Sequence, residues 1–423
     1  MRVLFLNPTG QTGGAETALV EMLAGLREAQ PSWPLTLLIA SDGPLADRAR
    51  TLGVSVLVLS FPAALAAVGE WGRRGGFWPR LQLAASLARA AWPTHAYLRR
   101  LRREMARLAP NIVHTNGLKM HVLGAWARPR DAAVVWHMHD YVGSRPLTAR
   151  LLRRAAPACA AVIANSESVA ADVRGVCGPG PTVHAIWNAV DLDRFSPHGP
   201  KLDLDTLAGL PPLGGVVRVG LLATFARWKG HQTFLRALGA LPPSMAVRGY
   251  VIGGPVYDTA GSQVSIEELR AEADALGLGS RVGFTGFVQN PAPAIRALDV
   301  VVHASTEPEP FGLVIAEAMA CGRAVIVSEA GGAAELVVPG VDAVTHRPGD
   351  AAELADRIGK LVTDAAARQR LGLAGRAAAE RSFGRGRMTS ALLKVYRDLA
   401  TSPGSPEWPS GPARQTVDTS LQG

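Results

Sequence analysis

Two glutamates in one short stretch are the residues best suited to chemistry. Glu309 and Glu317 lie eight positions apart in the sequence EPEPFGLVIAEAMACG. Because proline fits the first turn of a helix, we predict a helix that begins near Pro310 and presents the free amides of residues 312–314. Carboxylates accept hydrogen bonds from hydroxyl groups, and helix amides favour an anion. The stretch could therefore hold one ligand, with the carboxylates at its hydroxyl groups and the helix amides at its anionic group. The alternative is structural: one glutamate caps the helix and the other is simply exposed to solvent.

A glycine-rich turn near the N-terminus is a second candidate site. The first apolar run leads into the sequence PTGQTGGAE, in which Gly13 and Gly14 precede a helical pattern. Glycine lets the backbone approach a phosphate or a sugar closely, and the first amides of a helix favour anions. The G-x-G-x-x-G spacing of dinucleotide-binding turns is absent, so the alternative is a plain turn between strand and helix.

The elements around these residues alternate between short apolar runs and helical patterns, twice over. Such alternation is typical of parallel sheets wound with helices, so we predict an α/β chain with two doubly wound, Rossmann-like domains. The first set of predicted strands is Val3–Asn7, Leu35–Ser41, Val54–Ser60, Ile112–Asn116, Val134–Asp140, Ala161–Ser166 and Val183–Trp187. The second set is Val217–Thr224, Gly249–Gly254, Val282–Phe287, Val300–Ser305, Ala324–Ser328 and Ala343–Arg347.

The chain of 423 residues exceeds what one hydrophobic core usually serves, which supports two domains. We assign residues 1–195 to the first domain, residues 196–215 to a linker rich in proline and glycine, and residues 216–386 to the second domain. Residues 387–400 have a helical period and should pack on another element. Residues 401–423 are rich in proline, serine and glycine, so we expect a loose tail.

The glutamate stretch resembles the signature of the retaining nucleotide-sugar glycosyltransferases of family 4. The likeness continues in order along about residues 1–400. The further segments that resemble the family are GGAE at 13–16, HMHD at 137–140, ANSES at 164–168, NAVD at 188–191, WKG at 228–230, GFV at 286–288 and GGAAE at 331–335. The resemblance implies the GT-B architecture, with a nucleotide sugar in the cleft between two domains and a C-terminal helix that crosses back to the first.

The resemblance also implies a role for each matched residue. Glu317 would hold the ribose hydroxyls, Glu309 the hydroxyls of the transferred sugar, and Lys229 the diphosphate. His139 would lie over the sugar ring near the anomeric carbon; taken alone it could be a packed histidine, and His137 should point to the same face. The other donor-binding residues would be Gly13, Gly14, Thr224, Arg227, Phe287, Val288, Phe311, Gly312, Leu313 and Val314.

One departure from the family pattern concerns the diphosphate. Thr224 stands where many members have an arginine five residues before the lysine. Arg227 is the nearest cation that could replace it, because a guanidinium fork suits phosphate oxygens. The alternative is an exposed arginine on the outer side of the loop.

The positive charge of the chain is concentrated in one stretch. The formal net charge is +9, and residues 71–108 hold nine arginines and one glutamate. Within this stretch the arginines flank an apolar helical stripe, which is typical of a helix that meets anionic lipid; a solvated basic face is the alternative. That stripe is formed by Leu98, Leu101, Met105 and Leu108. No nucleic-acid motif accompanies the charge, so nucleic acid is disfavoured.

Metal and disulfide chemistry are disfavoured as well. Two D-x-D sequences, at 191–193 and 203–205, lie in or beside the predicted linker, and the three cysteines lack metal-ligand spacing. We expect a reducing compartment, no cofactor and no metal requirement. His303 falls within a buried strand pattern and is interpreted as a core histidine.

The sequence as a whole predicts a retaining, metal-independent transfer of sugar from a UDP- or GDP-sugar to a lipid-linked or polysaccharide acceptor in cell-envelope glycan synthesis. The predicted location is cytoplasmic, with peripheral contact to the membrane. The alternatives are a nucleotide-sugar epimerase or a phosphorylase of the same architecture, or an inactive subunit that binds nucleotide sugars.

Overall fold

The computed structural model of the chain describes residues 1–67, 77–255 and 263–401, with the backbone alone at residues 66–67 and 77–90. The strands of the first sheet are β1 (Val3–Asn7), β2 (Leu35–Ile39), β3 (Ser55–Val58), β4 (Ile112–Asn116), β5 (Ala133–Met138), β6 (Ala161–Ala164) and β7 (Thr182–Ala185). Those of the second are β8 (Val217–Leu222), β9 (Val247–Ile252), β10 (Val282–Gly286), β11 (Val300–His303), β12 (Ala324–Ser328) and β13 (Val344–His346).

Sixteen α-helices are present in the described ranges. Those before β8 are α1 (Gly14–Ala29), α2 (Pro44–Thr51), α3 (Ala63–Ala67), α4 (Phe77–Leu108), α5 (Leu118–Ala127), α6 (Pro146–Ala155), α7 (Glu167–Cys177) and α8 (Leu204–Leu207). Those after β8 are α9 (His231–Ala240), α10 (Ile266–Ala275), α11 (Pro291–Ala297), α12 (Leu313–Ala320), α13 (Gly332–Glu335), α14 (Ala351–Thr363), α15 (Ala365–Ser382) and α16 (Arg385–Thr401).

Both sheets are doubly wound, as the sequence predicts. The first has the strand order β3-β2-β1-β4-β5-β6-β7 and the second β10-β9-β8-β11-β12-β13. The strand pairs within both sheets are parallel. Ligands of such sheets bind at the carboxyl ends of the strands, where the order reverses. The reversals fall between β1 and β4 and between β8 and β11, which sets the two places where a site is expected.

The strands are mainly apolar because helices cover both faces of each sheet. All five residues of β1 are buried. Leu4 and Leu6 join the core on one face of the first sheet. Val3 and Phe5 join the core on the other face. This alternation fixes the register of β1 and the direction of the loop that follows it.

Helix α16 returns to the first domain and completes its core. Met388, Leu392 and Tyr396 are buried among residues of the first sheet and α1. Arg385 at the start of α16 donates to Glu21 of α1 and to Asp191, each at 2.6 Å. The last helix is therefore an integral layer of the first domain. The predicted tail from 402 onward lies outside the described residues.

The segment predicted as a linker contains a short helix that docks on the second domain. Asp205 of α8 is buried and accepts hydrogen bonds from Arg248 at 2.6 Å, Tyr250 at 2.5 Å and Arg218 at 3.1 Å. These donors hold the pKa of Asp205 below its usual range against the effect of burial. Asp205 thus fixes α8 to the second sheet, and this D-x-D sequence has a structural role.

The apolar stripe of α4 is not available to lipid, so that part of the sequence interpretation is wrong. Leu98, Leu101 and Met105 are buried in the core of the first domain, and Leu108 packs against it. The arginines of the same turns are exposed. Residues 71–76 of the predicted basic stretch lie outside the described residues. Among the described helices, none has the length and hydrophobicity to cross a membrane.

Candidate active site

Glu309 lies just after β11, at the reversal of strand order in the second sheet. Its carboxylate accepts hydrogen bonds from Lys229 Nζ at 2.7 and 2.9 Å and from Ser305 Oγ at 2.9 Å. His303 Nε2 lies 3.3 Å from Glu309 Oε2 and 3.0 Å from Ser305 Oγ. Burial raises the pKa of Glu309, but Lys229 and His303 more than offset this and hold the pKa well below its usual range. The carboxylate of Glu309 is therefore ionised, and neighbouring side chains of the protein hydrogen-bond to it.

Lys229 lies on the loop after β8, the strand beside β11. The loop ends at Gly230, which has φ +77° and approaches the backbone so closely that a Cβ would lie 1.8 Å from the carbonyl oxygen of Ala304. Only glycine fits both constraints. Lys229 Nζ also lies 4.0 Å from the centre of the Trp228 ring. The ring and the glutamate together hold the ammonium at the carboxyl end of the second sheet.

Helix α12 begins at Leu313, so the predicted start near Pro310 is wrong. Gly312 caps the helix in the left-handed region, with φ +86°. Before it, Glu309 forms an isolated parallel bridge with Gly331, so the backbone here follows a neighbouring segment and the helix starts after it. Phe311 is buried beneath the turn. The amides of Leu313 and Val314 still lie at the first turn of α12.

Glu317 is a buried carboxylate in the second turn of α12. Its side chain is 9% exposed, and no described residue donates a hydrogen bond to it. Burial raises the pKa of Glu317 to about 8; Arg194 opposes this rise and Glu21 adds to it. The acid is therefore largely protonated near neutral pH. An unpartnered buried acid is typical of a group that a ligand will pair.

The other predicted residues of the second domain are spread along the same edge. Thr224 is half-buried directly after β8, and Val288 packs against the core after β10. Phe287 is 68% exposed. Arg227 donates to Glu268 of α10 at 3.0 Å and is about half exposed. The structure thus brings Lys229 and Glu309 together, while Arg227 contacts a different acid.

Two histidines lie at the carboxyl end of β5 in the first domain. The rings of His137 and His139 have centroids 4.1 Å apart, and both nitrogens of each ring are buried without a hydrogen-bond partner. Burial lowers the pKa of His139 to about 4 and that of His137 well below its usual value. Both rings are therefore neutral near pH 7.

The glycine turn forms the N-terminus of α1. Gly13 caps the helix, and its amide donates to Glu16 Oε2 at 3.0 Å. A Cβ on Gly14 would contact nothing within 4 Å, so the turn is open at that point. Asn7 Nδ2 lies 3.4 Å from Glu16, and Asn116 donates to Asn7 at 2.6 Å. Asn7 is the last residue of β1 and Asn116 is the last residue of β4, the two strands between which the strand order reverses. The sequence analysis did not identify either asparagine as a candidate.

Sequence reasoning also overlooked the second role of His303. The histidine is buried, as its strand pattern indicates, but it also contacts Glu309. Its position in the sequence could have indicated this contact. His303 is the last residue of β11, a central strand next to the reversal of strand order, and it lies six residues before Glu309. In the other D-x-D sequence, at 191–193, Asp191 accepts a hydrogen bond from Arg385. In residues 1–67, 77–255 and 263–401, no three acidic, histidine or cysteine side chains are grouped as for a metal ion.

Comparisons with known proteins identify the family to which the chain belongs. Residues 12–194 match the family model described as Glycosyltransferase Family 4, and residues 215–364 match that of Glycosyl transferases group 1. A D-inositol 3-phosphate glycosyltransferase 1 of Catenulispora acidiphila is 30% identical over 309 residues, which cover 68% of this chain and 72% of the relative. Two doubly wound domains with these matches define a glycosyltransferase of the GT-B type. The chain belongs to glycosyltransferase family 4.

Other relatives match over shorter regions. A D-inositol 3-phosphate glycosyltransferase of Xylanimonas cellulosilytica is 34% identical over 248 residues, 56% of each chain. The lipopolysaccharide core mannosyltransferase LpcC of Rhizobium leguminosarum is 32% identical over 214 residues, 51% of this chain and 59% of that one. The chain thus spans little more than half the length of these two relatives. The crystal structure of Anabaena HepE with UDP and glucose has a TM-score of 0.76 and 25% identity, covering 94% of this chain and 99% of that one.

Proposed function

We propose that this chain is a retaining, metal-independent glycosyltransferase that moves a sugar from a UDP- or GDP-sugar to a lipid-linked or polysaccharide acceptor in cell-envelope glycan synthesis. The observation that carries the proposal is the Lys229–Glu309 pair at the strand reversal of the second sheet, with the unpartnered Glu317 in the second turn of α12. A cation and two carboxylates match the diphosphate and the two hydroxyl-bearing parts of such a donor.

Donor binding would exchange partners within this site. Lys229 Nζ moves from Glu309 to the diphosphate, which carries more charge than one carboxylate. Glu309, still held by Ser305, then accepts from the sugar hydroxyls, and Glu317 accepts from the ribose. The amides of the first turn of α12 add positive potential at the phosphate. The ion pair of the free protein is thus a stand-in for contacts that the donor makes.

The reaction needs a stabilised leaving group. As the bond between the anomeric carbon and the phosphate oxygen breaks, negative charge grows on the diphosphate, and Lys229 would offset that charge. The acceptor oxygen bonds to the same face of the anomeric carbon, and its proton passes to the departing phosphate oxygen. His139, neutral because burial lowers its pKa to about 4, would lie against the sugar ring and exclude water.

The choice of donor is the first thing to test. HepE was solved with UDP and glucose, so UDP-glucose is the first probe, within a thermal-shift panel of UDP-, GDP-, ADP- and dTDP-sugars. The best donor is then incubated with candidate acceptors in EDTA, and the anomer of the product is determined by NMR. Retention with full activity in EDTA supports the proposal. An inverted anomer, or activity that returns only with Mg²⁺ or Mn²⁺, contradicts it.

Because the proposed acceptor can be lipid-linked, the proposal includes contact between the protein and a membrane surface. In the described part of α4, Trp92 is 77% exposed, and Arg99, Arg100 and Arg103 are exposed further along the same helix; on α6, Leu147 and Leu151 are also exposed. Arginines beside exposed apolar side chains suit an anionic lipid surface. A cytoplasmic location with peripheral membrane contact is part of this proposal.

A further inference from the structure

Tyr141 joins the two domains beside Glu309. It lies two residues after His139 in the first domain, and its hydroxyl lies 2.8 Å from Ser168 Oγ. The same hydroxyl donates to the backbone oxygen of Glu309 at 3.4 Å and accepts from the amide of Gly332 at 3.3 Å. One side chain of the first domain therefore contacts two segments of the second.

Glu335 makes the reverse connection. This residue ends α13 in the second domain, and its carboxylate accepts hydrogen bonds from the amides of Glu167 at 2.9 Å and Ser168 at 2.7 Å. These amides belong to the first turn of α7 in the first domain, where a helix has free donors and favours negative charge. Ser166 Oγ accepts from the next free amide, that of Val169, at 3.1 Å. The N-terminus of α7 is thus capped across the domain boundary.

Each half of this junction is held together within its own domain. On the first domain, Asp172 of α7 accepts from the amides of Val142 at 2.7 Å and Gly143 at 3.1 Å, so the loop after Tyr141 and α7 form one unit. On the second domain, the bridge between Glu309 and Gly331 joins the glutamate segment to the turn before α13. The contacts therefore join two preassembled units.

The junction also leaves no room for a side chain. A Cβ on Gly332 would lie 2.7 Å from Ser166 Oγ of the other domain and 2.0 Å from the backbone oxygen of Pro310. Both distances are shorter than real Cβ contacts allow. The backbone of Gly332 therefore packs directly against the Ser166 side chain of the first domain, a contact that only glycine allows.

We propose that Tyr141 and Glu335 form an interdomain clamp that sets the Glu309 segment against the strand end bearing His139. Both are positioning residues: Tyr141 acts through the backbone of Glu309, and Glu335 acts through α7. The evidence for the clamp is the set of interdomain contacts. Only one part depends on the proposed function, namely that Glu309 and His139 bind a donor sugar between them.

The clamp is made of groups that water can also satisfy. Glu335 is half-buried, and the α7 amides can be hydrated when the domains separate. A charged hydrogen bond of this kind has a modest net effect, because opening exchanges it for bonds to water. We therefore expect each contact to change the ratio of closed to open molecules by roughly tenfold. Such a clamp can release in every cycle of ligand entry and exit.

The experiment measures hydrogen–deuterium exchange and the radius of gyration of the full chain without ligand, so it does not depend on any transferase activity. The variants are Tyr141→Phe and Glu335→Gln, and Glu329→Gln is the matched control because it neutralises an exposed acid nearby. We expect Glu335→Gln to reduce protection of the Glu167 and Ser168 amides roughly tenfold. Tyr141→Phe, which touches neither amide, should reduce the same protection and enlarge the radius of gyration.

The outcomes separate a clamp from ordinary local contacts. If each variant affects only its own hydrogen-bond partner and the radius of gyration stays at the wild-type value, there is no clamp. Glu329→Gln should match the wild type, and thermal melts check that all variants remain folded. Failure of the donor screen would overturn the proposed function and leave the clamp standing, whereas unchanged exchange in both variants would overturn the clamp alone.

Discussion

The hydroxyl of Tyr396 lies 2.7 Å from Nδ1 of His114, although 282 positions separate the two residues in the chain. Tyr396 belongs to α16, and His114 lies in β4. The ring of His114 is 5.3 Å from that of His137, which lies 4.1 Å from His139. The last helix of the chain therefore supports the candidate active site through a row of buried rings.

The first prediction tests this support with Tyr396→Phe. The change leaves Nδ1 of a buried histidine without a partner, and Nε2 of His114 already has none. An unsatisfied buried group costs about 1–3 kcal/mol, so the midpoint of thermal unfolding should fall. Since Tyr396 does not reach the cleft, kcat should fall with little change in the donor KM.

Tyr97→Phe is the matched control for this prediction. Tyr97 is equally buried in the first domain, but its hydroxyl has no hydrogen-bond partner. Removing that hydroxyl should leave the unfolding midpoint and the rate near wild type. Equal effects of the two variants would show that the Tyr396–His114 hydrogen bond contributes nothing specific.

The second prediction concerns the proton on Glu317, whose pKa burial raises to about 8. If the ionised carboxylate accepts from ribose hydroxyls, binding must release this proton at pH 7. Calorimetric titration with UDP-glucose in two buffers of different ionisation enthalpy should show the release of nearly one proton per site. Glu317→Gln should abolish the release; an equal release in this variant would assign the proton to another group.

The same raised pKa makes a prediction about stability, and its sign follows from proton binding. Between the usual glutamate pKa, about 4.3, and about 8, the folded chain keeps a proton on Glu317 that the unfolded chain has lost. Stability should therefore fall as pH rises through this window and level off above it. Glu317→Gln should lose part of that slope in thermal melts from pH 5 to pH 9. An unchanged slope would show that burial does not raise the pKa.

Much of the fold follows from local patterns. All thirteen predicted strands are present, because a strand buried on both faces is an apolar run that needs no knowledge of its neighbours. The start of α12 could not be predicted, since it depends on a bridge between Glu309 and Gly331. The predicted lipid contact of the α4 stripe is wrong because periodicity indicates the apolar face of a helix and not what covers that face.

The candidate site, like the fold, could be predicted from the sequence only in part. Lys229 and Glu309 follow neighbouring strands, so their proximity is consistent with the motifs. Glu335, in contrast, meets Ser168 across 167 positions, and only the packing of two domains brings them together. A contact of this kind leaves no periodic trace in a single sequence.

The fourth prediction concerns membrane contact through the exposed face of α4. Replacing Arg99, Arg100 and Arg103 with glutamine should abolish co-sedimentation with anionic vesicles, because each arginine contributes about 1 kcal/mol near acidic lipid. The control replaces three exposed arginines of the second domain, Arg270, Arg370 and Arg381. Equal binding of the wild type to neutral and anionic vesicles, or equal losses in both triple variants, would refute a specific basic surface.

The last prediction asks whether Arg227 replaces the arginine that Thr224 lacks. In the free protein its guanidinium pairs with Glu268, both side chains being about half exposed, and such a pair contributes little to stability. Arg227 is therefore free to exchange Glu268 for a diphosphate, which carries about two negative charges and accepts the guanidinium fork at two oxygens. Arg227→Ala should then lower kcat by roughly 10²-fold, the scale for one charge-stabilising donor.

Two further variants separate this exchange from a purely structural role. Glu268→Gln removes the resting partner and should leave kcat near wild type, whereas Thr224→Arg in the Arg227→Ala background should restore part of the lost rate. Lys229→Ala provides the reference for losing a cation next to Glu309. If Arg227→Ala changes kcat less than about threefold while Lys229→Ala is severely impaired, one lysine serves as the cationic contact, and Arg227 belongs to the surface pair with Glu268.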